Sequence, residues 1–141
     1  MTSPLSTKAQ DFNWLLANFV KDTDGVTDAV AVSSDGLLMA MSDGLGRDDA
    51  DQLAAIVAGI VSLAHGVSGR FGFDSLRLIM IEMRRGLLLV SAVSDGSCVG
   101  VLAAETCEVG LVGYEIAVLA ERAGRLLTPA LVAELKSGVS R

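Results

Sequence analysis

Three Ser-Asp-Gly triplets stand out in the chain, at Ser34–Asp35–Gly36, Ser42–Asp43–Gly44 and Ser94–Asp95–Gly96. A hydroxyl beside a carboxylate could serve a nucleophile or help to hold a cation. A serine nucleophile needs a neighbouring base. The one histidine, His65, has no acid three or four residues away to orient it, because those positions are Val61, Ser62, Ser68 and Gly69. A calcium loop needs alternating oxygen ligands within one loop, which no triplet supplies. Asp35–Gly36 and Asp95–Gly96 instead separate short apolar runs, where Asp-Gly closes tight hairpins because both residues tolerate positive φ. Asp35, Gly36, Asp95 and Gly96 are therefore expected to turn the chain.

The remaining reactive groups lead the same way. Cys98 and Cys107 are too few for a disulfide scaffold or a four-ligand metal site, and read as two reduced cysteines. No G-x-x-x-x-G-K-[ST] phosphate loop is present. The glycine-rich Gly66–Gly72 follows a helix pattern instead of a strand, the wrong context for a dinucleotide fingerprint. Arg84 and Arg85 sit on a predicted turn. An arginine there could reach a partner's active site, but two solvated turn residues are the simpler reading. No catalytic, cofactor-binding or metal-ligating residue is expected, so the chain reads as a non-enzyme.

These groups need elements to carry them. At 141 residues, half of them hydrophobic, the chain is long enough for one domain with a real core. A net charge of −6 argues against nucleic acid or an anionic membrane as partner. The N-terminus lacks a basic region followed by an apolar stretch, and the longest apolar run, Leu53 to Ala64, falls short of the roughly 20 residues that span a bilayer. A cytoplasmic protein with no membrane insertion is expected.

A capping box at Thr7–Gln10 predicts a first helix, with an apolar stripe Phe12, Leu15, Leu16, Phe19, Val20 and Trp14 at its margin. Strands are predicted over 27–34 and 37–42, and a long helix over about 48–68 with Asp49 as a possible cap. Three nearly continuous apolar strands should follow at 75–83, 86–93 and 97–104. Connections this short force antiparallel neighbours. A last long helix is expected over about 108–127, and Thr128–Pro129 starts a short one at 130–136. The order α-β-β-α-β-β-β-α is an α/β sandwich with one five-stranded antiparallel sheet.

That order, with "VAVSSDGLLMA" at Val30–Ala40 just before a long alanine-rich helix, resembles the Roadblock / dynein light chain family over roughly residues 8–127. The resemblance implies a single domain (core about 8–127, with 128–141 a short helix and tail) and strand order 2-1-5-4-3. One helix would cover one face and two the other. It also implies a homodimer joined through the third strand and second helix, a small Ras-like GTPase as partner, and a sensor-kinase-like protein as a further one.

The second helix carries an independent signal. From Gln52 to Gly69 it has no Asp, Glu, Lys or Arg, although a helix facing water is normally charged on that side. A wheel puts Leu63, Ile56, Val67, Ile60 and Leu53 on a broad arc that can cover the sheet. Ala55, Ala58, Gly59, Ser62, His65 and Gly66 lie on a small-residue arc that would let another backbone approach. Together with Leu76, Leu78 and Met80 of the third strand, which the family order puts at a sheet edge, these are the expected interface residues. The competing reading is a PAS- or GAF-like sensory domain with a small-ligand pocket, which so few aromatic and buried polar residues support weakly.

Overall fold

A computed structural model describes residues 5–140, with the side chain of Ser140 left out. Nine elements follow in the order α1 (Thr7–Asp22), β1 (Val26–Val32), β2 (Leu38–Met41), α2 (Arg47–Phe71), β3 (Leu78–Met83), β4 (Gly86–Ala92), β5 (Cys98–Ala104), α3 (Val109–Leu126) and α4 (Pro129–Ser140). The five strands form one antiparallel sheet, ordered β2-β1-β5-β4-β3. This is the α/β sandwich and strand order that the resemblance implies.

Strand parity separates two cores. Ala29, Ala31, Leu87, Leu89, Val99 and Val101 point to one face, where Phe12, Leu16 and Phe19 of α1 and Val112, Ile116 and Leu119 of α3 bury against them. Val30, Val32, Leu88 and Val90 point to the other face and meet α2, through Ala50, Leu53, Ala54 and Val57, with Val139 of α4 at the margin. Alternate residues of a strand face opposite sides, so these continuously apolar strands are covered on both.

Several boundaries shift for identifiable reasons. The cap of α1 is Ser6, one residue before the expected Thr7: its Oγ accepts from the Ala9 N–H, and Gln10 reaches back to the Leu5 carbonyl. Ser6 also donates from both N and Oγ to Glu134 of α4, at 2.7 and 2.6 Å. α2 starts after Gly46 with no side-chain cap, so Asp49 has no such role. It then runs a turn beyond the expected end until Gly72 stops it in the left-handed conformation.

The last helix departs most from expectation. α4 has 12 residues, is capped by Thr128 Oγ1, and buries Leu131 and Leu135 in the α1/α3 core. It lies along β2 and covers that edge of the sheet. Leu131 and Leu135 thus join the core, and the helix extends past the expected 130–136.

The triplet aspartates act as turn groups. In both hairpins a three-residue loop is closed by Ser33 N to Leu37 O and by Val93 N to Ser97 O, and only the glycines Gly36 and Gly96 use positive φ, at 85° and 92°. The expectation that the aspartates share that conformation does not hold. They fold back on neighbouring serines instead: Asp95 accepts from Ser97 N and Oγ, and Asp35 from Ser33 Oγ. In the remaining triplet Ser42 is buried and its Oγ accepts from Ala29 N, tying β2 to β1.

Asp35 also takes Lys136 of α4 at 3.1 Å. The Ser33 hydroxyl and then Lys136 hold its carboxyl below the ordinary 3.8. A carboxyl lowered in the folded state contributes fully above its unfolded pKa and loses that contribution as pH falls through the lowered value. The difference in melting temperature between the native chain and Asp35→Asn is expected to be small, because the group is exposed. It should be constant at neutral pH and close only as pH falls below the ordinary value. A difference that grows on acidification would refute the stabilising role of the Asp35–Lys136 pair.

Candidate functional site

α2 is seated on the sheet for only part of its length. Ala50, Leu53, Ala54 and Val57 are buried, and beyond Val57 no residue of the helix is. Close seating depends on Gly100 of β5, where a Cβ would come within 2.8 Å of Val57 Cγ2. Val61, Ala64 and Ser68 continue the stripe half-buried.

This seating corrects the wheel. Leu63, Ile56 and Val67, expected to cover the sheet, are 76, 51 and 52% exposed. The sheet-facing stripe is rotated toward Ala54, because a small residue there allows closer approach than a large one. With no charge on either side, the pattern held no polar marker for the outer face.

Of the small-residue arc, Ala55, Gly59, Ser62, His65 and Gly66 are exposed, and a Cβ on Gly59 or Gly66 would meet nothing within 4 Å. Ala58 is half-buried beneath the β1–β2 hairpin, 3.2 Å from a Cβ built on Gly36. His65 borders a 260 Å³ hollow with Ser33, Ser34, Ser62 and the buried Cys98. Burial, and secondarily Asp95, pushes the Cys98 thiol up, away from the reactive thiolate. Among the described residues no cluster of His, Cys, Asp or Glu could hold a metal ion, and both cysteines are free.

β3 is the open edge. It pairs only with β4, and its burial alternates between exposed and half-buried. Leu78 and Met80 are 43 and 45% exposed, but they sit opposite Ser91 and Leu89 and so face the α3 side. Leu76 precedes the strand and is half-buried. The β3 residues that share a face with α2 are Ile79, Ile81 and Met83, opposite Val90, Leu88 and Gly86. The expected interface residues omit these three, although Ile79 and Ile81 belong to the apolar run that marks the edge strand. Strand alternation was the available signal, once Leu88 and Val90 are known to face α2.

The candidate site thus has two exposed apolar parts: the α2 ridge Ile56, Leu63 and Val67, with Phe71 and Phe73 at the helix end stacked at 6.0 Å between ring centroids, and the open β3 edge. By length and composition alone α2 is long and apolar enough to cross a bilayer, with mean hydropathy 1.5, although its longest apolar run is Leu53 to Ala64. Only 17% of that stretch is buried within the chain. A core helix of a soluble domain would be mostly buried, and this one is anchored to its own sheet at one end. An apolar surface of this extent has the character of a contact site.

The Arg84–Arg85 turn joins β3 to β4 at one end of this edge, exposed beside Glu82 and Glu105.

Comparison with known proteins agrees with the architecture. The family model described as Roadblock/LC7 domain matches residues 12–103. A Roadblock/LC7 domain of Streptomyces avermitilis is 36% identical, with a TM-score of 0.72 over 77% of this chain and 90% of that one. MglB of Myxococcus xanthus shares the fold at 18% identity, with a TM-score of 0.79 over 90% of this chain and 98% of that one. A structure described as MglB with tetrameric arrangement aligns at 18% identity and a TM-score of 0.77, over 89 and 96% of the two chains. A comparison with curated proteins found no match.

Proposed function

The chain belongs to the Roadblock/LC7 domain family, and from that premise we propose that it is a non-enzymatic, homodimeric regulator or scaffold for a small Ras-like GTPase, working in the cytoplasm. The observation that carries the reading is the uncovered apolar surface of α2 and β3, with no charge on α2 from Gln52 to Gly69. An open apolar edge strand invites pairing. A second copy related by a twofold axis would extend the sheet through β3 and bring the two α2 ridges together in an isologous contact.

Magnitudes favour assembly without guaranteeing tight binding. Covering four large aliphatic side chains is worth about 6–12 kcal/mol gross, at ~1.5–3 each. Association costs of ~4–15 kcal/mol offset much of that. Two copies together present more than four large apolar side chains, since Ile56, Leu63, Val67, Met83 and Phe71 each come from both.

The dimer would then act on its GTPase by differential affinity. If it fits the GTP-bound switch conformation better, it shifts that population; equal affinity for both states would shift nothing. The test is a pull-down of a Ras-like GTPase, loaded with GTP analogue or GDP. Nucleotide-dependent capture supports the reading, and equal failure in both states overturns it. Arg85→Ala is expected to retain whatever stimulation of hydrolysis the native chain gives, because Arg84 and Arg85 are solvated turn residues. A loss of about a thousandfold would instead mark an arginine finger.

A further inference from the structure

On the sheet face opposite α2, a second groove is open. α1 and α3 pack side by side there, and between them runs a depression of 770 Å³. Its floor is apolar, formed by Phe19 and Leu119, which are buried, and Leu15 and Leu126, which are half-buried. Along the α1 wall Asp11, Trp14, Asn18 and Asp22 follow at helical spacing; along the α3 wall stand Glu115 and Arg122.

Two features mark this groove as a recognition surface. Trp14, the one tryptophan of the chain, is 70% exposed at its rim. Tryptophan is enriched among residues that dominate binding energy, because it offers a large rigid contact area. The rim is also unbalanced in charge. Asp11, Asp22 and Glu115 make no ion pair or side-chain hydrogen bond among the described residues, Arg125 is engaged by Glu121 at 2.7 Å, and Arg122 is left as the one uncommitted cation.

We propose that the α1–α3 groove docks a short amphipathic helix of another polypeptide, with an apolar ridge against Trp14 and the floor and lysines or arginines toward Asp11, Asp22 and Glu115. A helix suits it because the walls are helices, whose ridges and grooves accept a third, and no unpaired strand edge is offered there. From Asp11 to Asp22 the wall is about 16 Å long, room for three helical turns. A second copy of the chain is disfavoured as occupant, because isologous pairing would set this acidic rim against itself. The uncharged α2 surface carries no such penalty. The groove lies across the sheet from α2, so the chain can hold two partners at once, and the inference stands without the GTPase reading.

Trp14 supplies a local reporter. The probe is a tryptophan-free synthetic helix of about 14 residues, roughly 21 Å long, with leucines at i, i+3, i+4, i+7 and lysines elsewhere; its counterpart carries glutamates for lysines. The lysine peptide is expected to shift Trp14 emission to the blue in a saturable titration, and the glutamate peptide is not. Asp11→Lys with Asp22→Lys should weaken binding about tenfold, as loss of rim complementarity does, and Glu115→Lys should weaken it in the same direction. Leu63→Asp on α2 should leave the titration unchanged. Four results would overturn the proposal: no shift with the lysine peptide, affinity indifferent to charge reversal, loss of binding through Leu63→Asp alone, or a shift that appears with protein concentration in the absence of peptide. The last would assign the groove to a second copy.

Discussion

Leu63→Asp is expected to turn a dimer into a monomer while leaving the subunit folded. Leu63 is 76% exposed and belongs to neither core, so the substitution removes no packing within one chain. In a dimer built on the α2 ridge, the same carboxylate would be taken from water into an apolar contact, opposite its own symmetry copy. Burying an unpaired charge costs several kcal/mol. Even about 3 kcal/mol weakens association about a hundredfold. Sedimentation at micromolar concentration should show a dimer for the native chain and a monomer for the variant, with unchanged helical circular dichroism. Gly59→Leu should act in the same direction, because its side chain would enter open space within one subunit and a closely approaching backbone in the pair. Leu111→Asp, at a 47% exposed site on α3, is the control and should leave the dimer intact. A native chain that sediments as a monomer would remove the basis of the proposed function.

Gly25→Ala is expected to cost more folding stability than any surface change in the chain. Gly25 joins α1 to β1 with φ at +89°, and a Cβ there would lie 2.4 Å from Cys107 Cβ and 2.9 Å from Cys107 Cα. The second of these is backbone, so no rotamer change relieves the clash. The Gly25 carbonyl also accepts from Ala104 N at 2.7 Å, which ties this turn to the end of β5. Left-handed backbone costs a non-glycine residue about 1–2 kcal/mol, and overpacking adds about 1–3. The sum, about 2–5 kcal/mol, should lower the melting temperature by roughly 6–20 °C in a domain of this size. Gly69→Ala provides the opposite sign. It lies inside α2 with nothing within 4 Å of a Cβ, so it should stabilise by up to about 1 kcal/mol through helix propensity. Equal effects from the two would mean that the Gly25–Cys107 contact is not formed.

The legible parts of this protein were those governed by local pattern. The spacing of Phe12, Leu16 and Phe19 marked the buried face of α1. Asp-Gly pairs marked the hairpins because glycine is needed where φ is positive, although the aspartates contribute through their side chains and not through their own backbone angles. α4 was underread, since Leu131 and Leu135 are too few to reveal by periodicity that they complete the core beneath α1 and shield the β2 edge. Leu78 and Met80 were grouped with α2 although they face α3, because membership of a strand does not say which parity faces which layer.

By itself the sequence determined that α2 and β3 lack ionised groups along much of their length, that the sheet is covered on both faces, and that the triplets turn the chain. Charge and periodicity are properties of the residues in order, and need no knowledge of neighbours. Only the tertiary structure decided which side of α2 is free, and that Ile79, Ile81 and Met83 share its face. It also decided that α1 and α3 leave a groove beside Trp14. Those outcomes depend on where elements touch, above all at Gly100 and Val57, where the absence of one side chain lets the helix settle in a rotation that no wheel of uncharged residues could reveal.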